Sequence, residues 1–154
     1  MTEPPEFATD LAELGARMAD ATPQAAALGF RLVSVEPGVA TMAVPHAQKL
    51  VGDPRTGVLA GGVVTTLLDH VCGLAVSSRL IAEKGGFSPI ATLDLRIDYM
   101  RPAEPGLEII AQAHCYKLTR SIAFVRAVAY DRDETDPVAA AQAAFSLTAA
   151  PAPA

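Results

Sequence analysis

The stretch GVLAGGVVTTLLDHVCGLAV, Gly57 to Val76, decides how this chain is read. From about Gly61 to about Lys84 nearly every position suits a helix, most are apolar or small, and Gly85-Gly86 supplies a stop. A helix this apolar belongs inside a protein. Yet Asp69 and His70 sit in its middle, and burying a carboxylate without a partner is costly.

A helical wheel shows what surrounds the acid. Taking Asp69 as origin at ~100° per residue, Gly62 falls near ~20°, Gly73 near ~40°, Thr66 near ~60°, Ser77 near ~80° and Thr65 near ~-40°. Val64, Leu67, Leu68, Val71, Cys72, Leu74 and Ala75 lie largely outside this arc. The helix therefore has one narrow stripe of small and polar residues, with Asp69 as its only acid. Two readings stand side by side. Asp69 is a structural group paired with an arginine or hydroxyl, or it lines a cleft and acts there as base or nucleophile.

The start of the helix bears on that choice. Leu59-Ala60-Gly61-Gly62 offers no Ser, Thr, Asp or Asn as a cap. Its first N–H groups are free donors at the positive end of the helix dipole, suited to an anion or a polarised carbonyl. Two glycines let a ligand come close to the backbone, although a Gly-Gly pair also serves as a plain flexible lead-in. Gly62 and Asp69 are seven residues apart, about 10 Å along the axis. If both act on one carbonyl they come from different subunits, which predicts a symmetric dimer with two composite sites.

Working outward, Phe7, Leu11, Leu14 and Met18 form a helical stripe over Phe7 to Met18. Gly29 to Val35 and Val39 to Val44 read as a hairpin around Glu36-Pro37-Gly38. Pro45 to Gly57 is a polar loop. After the long helix, Thr92 to Tyr99 alternates strictly between apolar and polar, a strand with one buried face. Leu107 to Tyr116, Ser121 to Tyr130 and Val138 to Thr148 complete a four-strand meander, the last with enough alanine to leave helix open. One long apolar helix and about six antiparallel strands make an α+β fold with the helix lying on the sheet.

Composition narrows the class. The 154 residues are 51% hydrophobic and 19% charged, a globular balance, and the net charge of -5 disfavours nucleic acid or an anionic membrane as the main partner. No run reaches the ~18 uninterrupted apolar residues of a membrane span, and the acidic start has no signal-peptide core. Cys72 and Cys115 form no CxxC, so both read as core thiols of a reduced, cytoplasmic protein. No His/Cys/Asp spacing suggests a metal site. Ser77, Ser78 and Ser88 lack a G-x-S-x-G setting, and no P-loop or dinucleotide fingerprint occurs.

GVLAGGVVTTLLDHVCGLAV, IDYMRPA at Ile97 to Ala103 and KLTRSIAFVRAVAYD at Lys117 to Asp131 together resemble the hotdog-fold acyl-CoA thioesterases, in the PaaI-like and 4-hydroxybenzoyl-CoA thioesterase group. The resemblance covers roughly residues 29–148. It implies a hotdog fold, the long helix wrapped by an antiparallel sheet of about six strands, in a homodimer or a homotetramer built from two dimers. It implies hydrolysis of an acyl-CoA thioester to free acid and CoA, without a cofactor. Carried over by position, Asp69 matches the catalytic carboxylate and Gly61 or Gly62 the helix-start glycine whose N–H polarises the carbonyl. Thr92 falls where some members have a hydroxyl that helps hold the attacking water. In the family the acid and the glycine of one site belong to opposite subunits, in agreement with the distance argument.

Two departures stand out. The family histidine is Ala60 here, and the family's upstream amide would align near Pro54, beside Asp53. These motivate a rival reading, a non-catalytic acyl-CoA or fatty-acyl binding protein. A hydratase ranks below both, since His70 is adjacent to Asp69 but near ~100° on the wheel. Thr66 and Gly73 leave room for the acyl group, and His70 borders the stripe. CoA phosphates want cations: Lys117 and Arg120 are preferred over Arg55 and Arg101. The domain plan is an N-terminal helical segment over residues 1–28, one hotdog domain over 29–149 and a frayed tail over 150–154.

Overall fold

A computed structural model describes residues 22–147 together with residues 11, 13 and 15–18. The latter six are helical. The rest of the expected Phe7–Met18 helix and the expected frayed tail lie outside the described residues. Gly15 fits that helix onto the sheet, since a Cβ there would press on Leu32 and Val35.

A short helix, α1 (Pro23–Leu28), begins at Thr22, whose hydroxyl accepts from the Ala25 N–H, and ends at Gly29 in the left-handed region, φ 76. The hairpin follows as β1 (Arg31–Glu36) and β2 (Val39–Val44). The expected polar loop is more ordered than its composition suggested. It holds a 3-10 turn, Gln48–Leu50, and β3 (Val51–Asp53), which forms a small ribbon with β4 (Val58–Leu59) just after the loop. This ribbon delivers the chain to α2 (Gly61–Lys84), which ends at Gly85 with φ 78. Then come β5 (Ile90–Tyr99), β6 (Ile109–Leu118), β7 (Ile122–Tyr130) and β8 (Ala139–Leu147). The alanines of β8 sit in a strand, because β7 and β5 pair with it on both sides.

The main sheet is antiparallel in the order β1-β2-β6-β7-β8-β5. Helix α2 lies across it and touches all six strands. Its Val64, Leu67, Leu68, Val71, Cys72, Leu74 and Ala75 are buried against Met42, Val44, Ile109 and Val125. By length and composition α2 could cross a membrane, but 72% of its most apolar window is buried inside the protein. Truncating one of its fully buried leucines to alanine would cost about 2–5 kcal/mol.

β5 corrects the strict alternation read from the sequence. Its pairing with β8 shifts between Thr92 and Asp94, so Leu93 is a bulge. Regular alternation would turn Leu93 inward and Thr92 outward. Instead Leu93 is 58% exposed. Ile90 and Thr92 before the bulge, and Leu95, Ile97 and Tyr99 after it, all face α2. Opposite Thr92 and Leu95 stand the buried Phe145 and Ala143 of β8.

The turn after β5 is anchored by charge. The guanidinium of Arg101 donates to both oxygens of Asp131, at 2.6 and 2.9 Å, and to the carbonyl of Asp136 at 2.7 Å. Asp131 also accepts from the Glu104 N–H. Arg132 pairs with Glu104.

Candidate active site

Asp69 lies in the third turn of α2, half-buried, on the side facing β5. Its Oδ1 accepts a hydrogen bond from the Thr92 hydroxyl at 2.9 Å. The bulge makes this contact possible, because it turns Thr92 toward the helix. The structure thus answers why a carboxylate is tolerated there: it is partly open to water and has a hydroxyl donor.

The helix start is uncapped. Ala60 occupies the N-cap with no side-chain bond, its N–H donating to Leu50 O at 2.9 Å and its carbonyl accepting from Val63 N–H at 3.0 Å. The N–H groups of Gly61 and Gly62 have no acceptor among the described residues. Gly52 lets the β3–β4 ribbon lie flat against Ala60, since a Cβ there would stand 3.2 Å from the Ala60 Cα. Beside this start is a cleft of about 390 Å³ lined by Gly61, Tyr99, Met100 and neighbours.

Tyr99 was not singled out from sequence. Its hydroxyl reaches the Gly61 carbonyl at 2.7 Å and touches the Thr65 hydroxyl, which also reaches that carbonyl at 3.1 Å. The first turn of α2 is therefore pinned to the end of β5. The inward face of β5 after its bulge was the available signal. Thr66 returns its proton to the Gly62 carbonyl at 2.8 Å, so it is not a free donor.

The stripe divides along its length. Thr65, Thr66, Asp69 and His70 are half-buried, whereas Gly73 and Ser77 are buried. A Cβ on Gly73 would meet Phe145 at 3.7 Å and Ile90 at 3.8 Å. The room expected beside Gly73 is thus bounded by the chain's own side chains. His70 donates from Nε2 to the Met18 carbonyl and packs its ring on Phe30, centroids 5.8 Å apart. It borders a chamber of about 750 Å³ between α2, the N-terminal helix and the segment after α2.

The remaining candidates are spread around the helix start and the sheet end. Asp53 is held by Arg55, which donates from Nη2 to Oδ2 at 2.8 Å and from its N–H to Oδ1 at 2.9 Å. That pairing holds the Asp53 carboxyl below its ordinary range. Of the four cations weighed for phosphate, Arg55 and Arg101 are engaged in these pairs. Lys117 and Arg120 are exposed at the β6–β7 turn and make no ion pair among the described residues.

This architecture, a six-stranded antiparallel sheet around one long helix with an acid in its third turn, is that of the hotdog fold. Residues 56–138, more than half of the chain, match the model of the thioesterase superfamily, and the chain belongs to that family. It is 31% identical to the medium/long-chain acyl-CoA thioesterase YigI of Salmonella typhimurium, over 70% of this chain and 75% of that protein. It is 36% identical to mouse acyl-coenzyme A thioesterase 13 over 46% of each chain. The chain thus spans about half the length of several curated relatives that it matches. Among solved structures, a Pseudomonas aeruginosa protein superposes with a TM-score of 0.78 at 35% identity, covering 88% of this chain and 98% of that one.

Proposed function

We propose that this protein is an acyl-CoA thioesterase whose site is shared between two protomers. The observation that carries the reading is the Asp69–Thr92 pair on a helix whose start presents two unpartnered N–H groups. Gly62 and Asp69 are about 10 Å apart along one straight helix, too far for one carbonyl. A second protomer resolves this. Among the described residues the outer edge of β5, ten residues long, has no strand beside it, and Leu93, Tyr99 and Met100 are exposed along or just beyond it. An unpaired edge of that length invites edge-to-edge pairing.

In the resulting site the thioester oxygen accepts from the Gly61 or Gly62 N–H of one protomer, where the helix dipole favours the developing negative charge. Asp69 of the other protomer takes a proton from water, and the water oxygen bonds to the carbonyl carbon. The tetrahedral intermediate then expels the CoA sulfur, which takes up the proton. Thr92 fixes the carboxylate and helps to hold the water. Lys117 and Arg120 are the cations offered to the CoA phosphates. Direct attack by Asp69 uses the same geometry, with the acyl-enzyme then hydrolysed.

A binding protein without turnover is the second reading, favoured by Ala60 at the N-cap and by Asp53 being tied to Arg55. Thiol release separates the two. Wild type, Asp69→Ala and Asp69→Asn are compared on a panel of short, long and aromatic acyl-CoAs. Turnover by wild type, and its loss in both variants while they stay folded and assembled, is the expected result. Binding of acyl-CoA without thiol release by wild type would sink the enzyme reading.

A further inference from the structure

The chamber beside α2 contains a group that hydrolysis does not use. Its walls include His70, Ser77 and Ile81 of α2, Phe87 of the following segment and Met18 of the N-terminal helix. Its lining on α2 runs from His70, about 100° around the helix from Asp69, past Ser77 to Ile81. Ser77 is 2% exposed, and its hydroxyl has no hydrogen-bond partner among the described residues. A helical Ser or Thr ordinarily returns its proton to the carbonyl four residues back, as Thr65 and Thr66 do in the same helix. Ser77 does not.

The other polar groups at the chamber are bonded within the chain or open to solvent. His70 donates to Met18 O and the Thr22 hydroxyl accepts from Ala25 N–H, while Arg17 and Glu13 are exposed and 3.8 Å apart. Alanine at position 77 would line the same wall without burying an unpartnered hydroxyl. A partner that arrives with the ligand accounts for the hydroxyl.

We propose that the chamber receives the acyl group and that Ser77 selects a medium-length acyl chain bearing a hydroxyl or keto oxygen near its far end. This rests on the thioesterase reading above. Ser77 is eight residues beyond Asp69, about 12 Å along the helix. An extended chain advances ~1.25 Å per bond, given a C–C length of about 1.52 Å. The oxygen therefore falls near the ninth or tenth carbon. A chamber of about 750 Å³ is of the size that holds such a ligand.

The test compares 10-hydroxydecanoyl-CoA with decanoyl-CoA by thiol release, in wild type and Ser77→Ala. The free acids, 10-hydroxydecanoate and decanoate, are titrated calorimetrically alongside, so that binding is read without turnover. Wild type is expected to favour the hydroxylated thioester by about fivefold in kcat/KM, the worth of one neutral hydrogen bond. Ser77→Ala brings that ratio near one through KM, and its Tm equals or exceeds that of wild type, because no partner is lost. A merely structural serine would lower Tm and leave the ratio unmoved. A wild-type preference for the plain chain, or a ratio unchanged in Ser77→Ala, overturns the proposal and leaves the thioesterase reading intact. If neither thioester is hydrolysed, the thioesterase reading fails, and the acids decide the chamber. Tighter binding of the hydroxy acid that vanishes in Ser77→Ala upholds it, and equal binding of both acids sinks it.

Discussion

Gly62 allows the site to be tested apart from the fold. Its φ is not positive, and a Cβ built on it meets nothing within 4 Å. Packing therefore gives no reason for glycine there, unlike Gly52 against Ala60 or Gly85 in the left-handed region. Replacing a helical glycine by alanine stabilises by about 0.4–1 kcal/mol, mostly by restricting the unfolded chain. For a chain of this size that raises Tm by about 1–4 °C. The new methyl group would stand in the open space beside the helix start, where the proposed mechanism brings the thioester oxygen to the N–H. Misplacing a reacting group by about 1 Å costs on the order of a hundredfold in rate. Gly62→Ala should thus be more stable and about a hundredfold poorer in kcat/KM. Thermal unfolding, thiol release and sedimentation of the same preparation read all three consequences, including assembly. A variant with raised Tm and undiminished kcat/KM would refute the assignment of the carbonyl to this helix start. A lowered Tm would instead show that a partner protomer packs on Gly62.

Thr92→Val keeps the β-branched shape and removes the donor to Asp69. A hydrogen bond to a charged acceptor contributes about 1.5–3 kcal/mol, so kcat should fall about 10- to 100-fold with KM little changed. An unchanged kcat would remove Thr92 from the mechanism. Arg101 governs stability rather than chemistry. Its guanidinium holds the Asp131 carboxyl well below the usual carboxylate range, and the Asp131 side chain is 2% exposed. A depressed folded-state pKa means stabilisation that is complete above the unfolded value of about 3.9 and lost as pH falls toward the folded one. Tm should therefore decline below about pH 4. Arg101→Met strands a buried carboxylate, at about 3 kcal/mol since Arg101 itself is partly solvated. The gap between variant and wild type should narrow in acid as Asp131 becomes protonated, and a gap that widens there would reverse the sign of this argument.

Much of the fold was legible because its signals were local. The limits of α2 follow from Gly-Gly at either end and an apolar stretch between them. The hairpin follows from Pro37-Gly38. What escaped was set by distant partners. The bulge at Leu93 depends on β8, where Phe145 and Ala143 must both face the helix, and nothing within β5 announces it. The β3–β4 ribbon is too short for a periodic signal. Tyr99 acquires its role only when the end of β5 meets the first turn of α2. Arg101 looked available for phosphate because Asp131, which holds it, is thirty residues away. Asp69 was recognisable as an anomaly, an acid within an apolar helix, but its neighbour Thr92 was placed there by family resemblance and not by periodicity. The lack of a partner for Ser77 is invisible in any linear pattern.

The bulge also matters for reading relatives. The residues on either side of Leu93 keep their faces only because Leu93 is extra. Remove it, and Ile90, Thr92, Leu95, Ile97 and Tyr99 fall on one side of an unbroken strand. A homologue one residue shorter at this point would present the same hydroxyl to the same acid. An alignment drawn through β5 without a gap would match Thr92 to the wrong column in that homologue. The hydroxyl would then look absent from a site that has it, so a single-residue gap at Leu93 is where divergence of the proposed site should be judged.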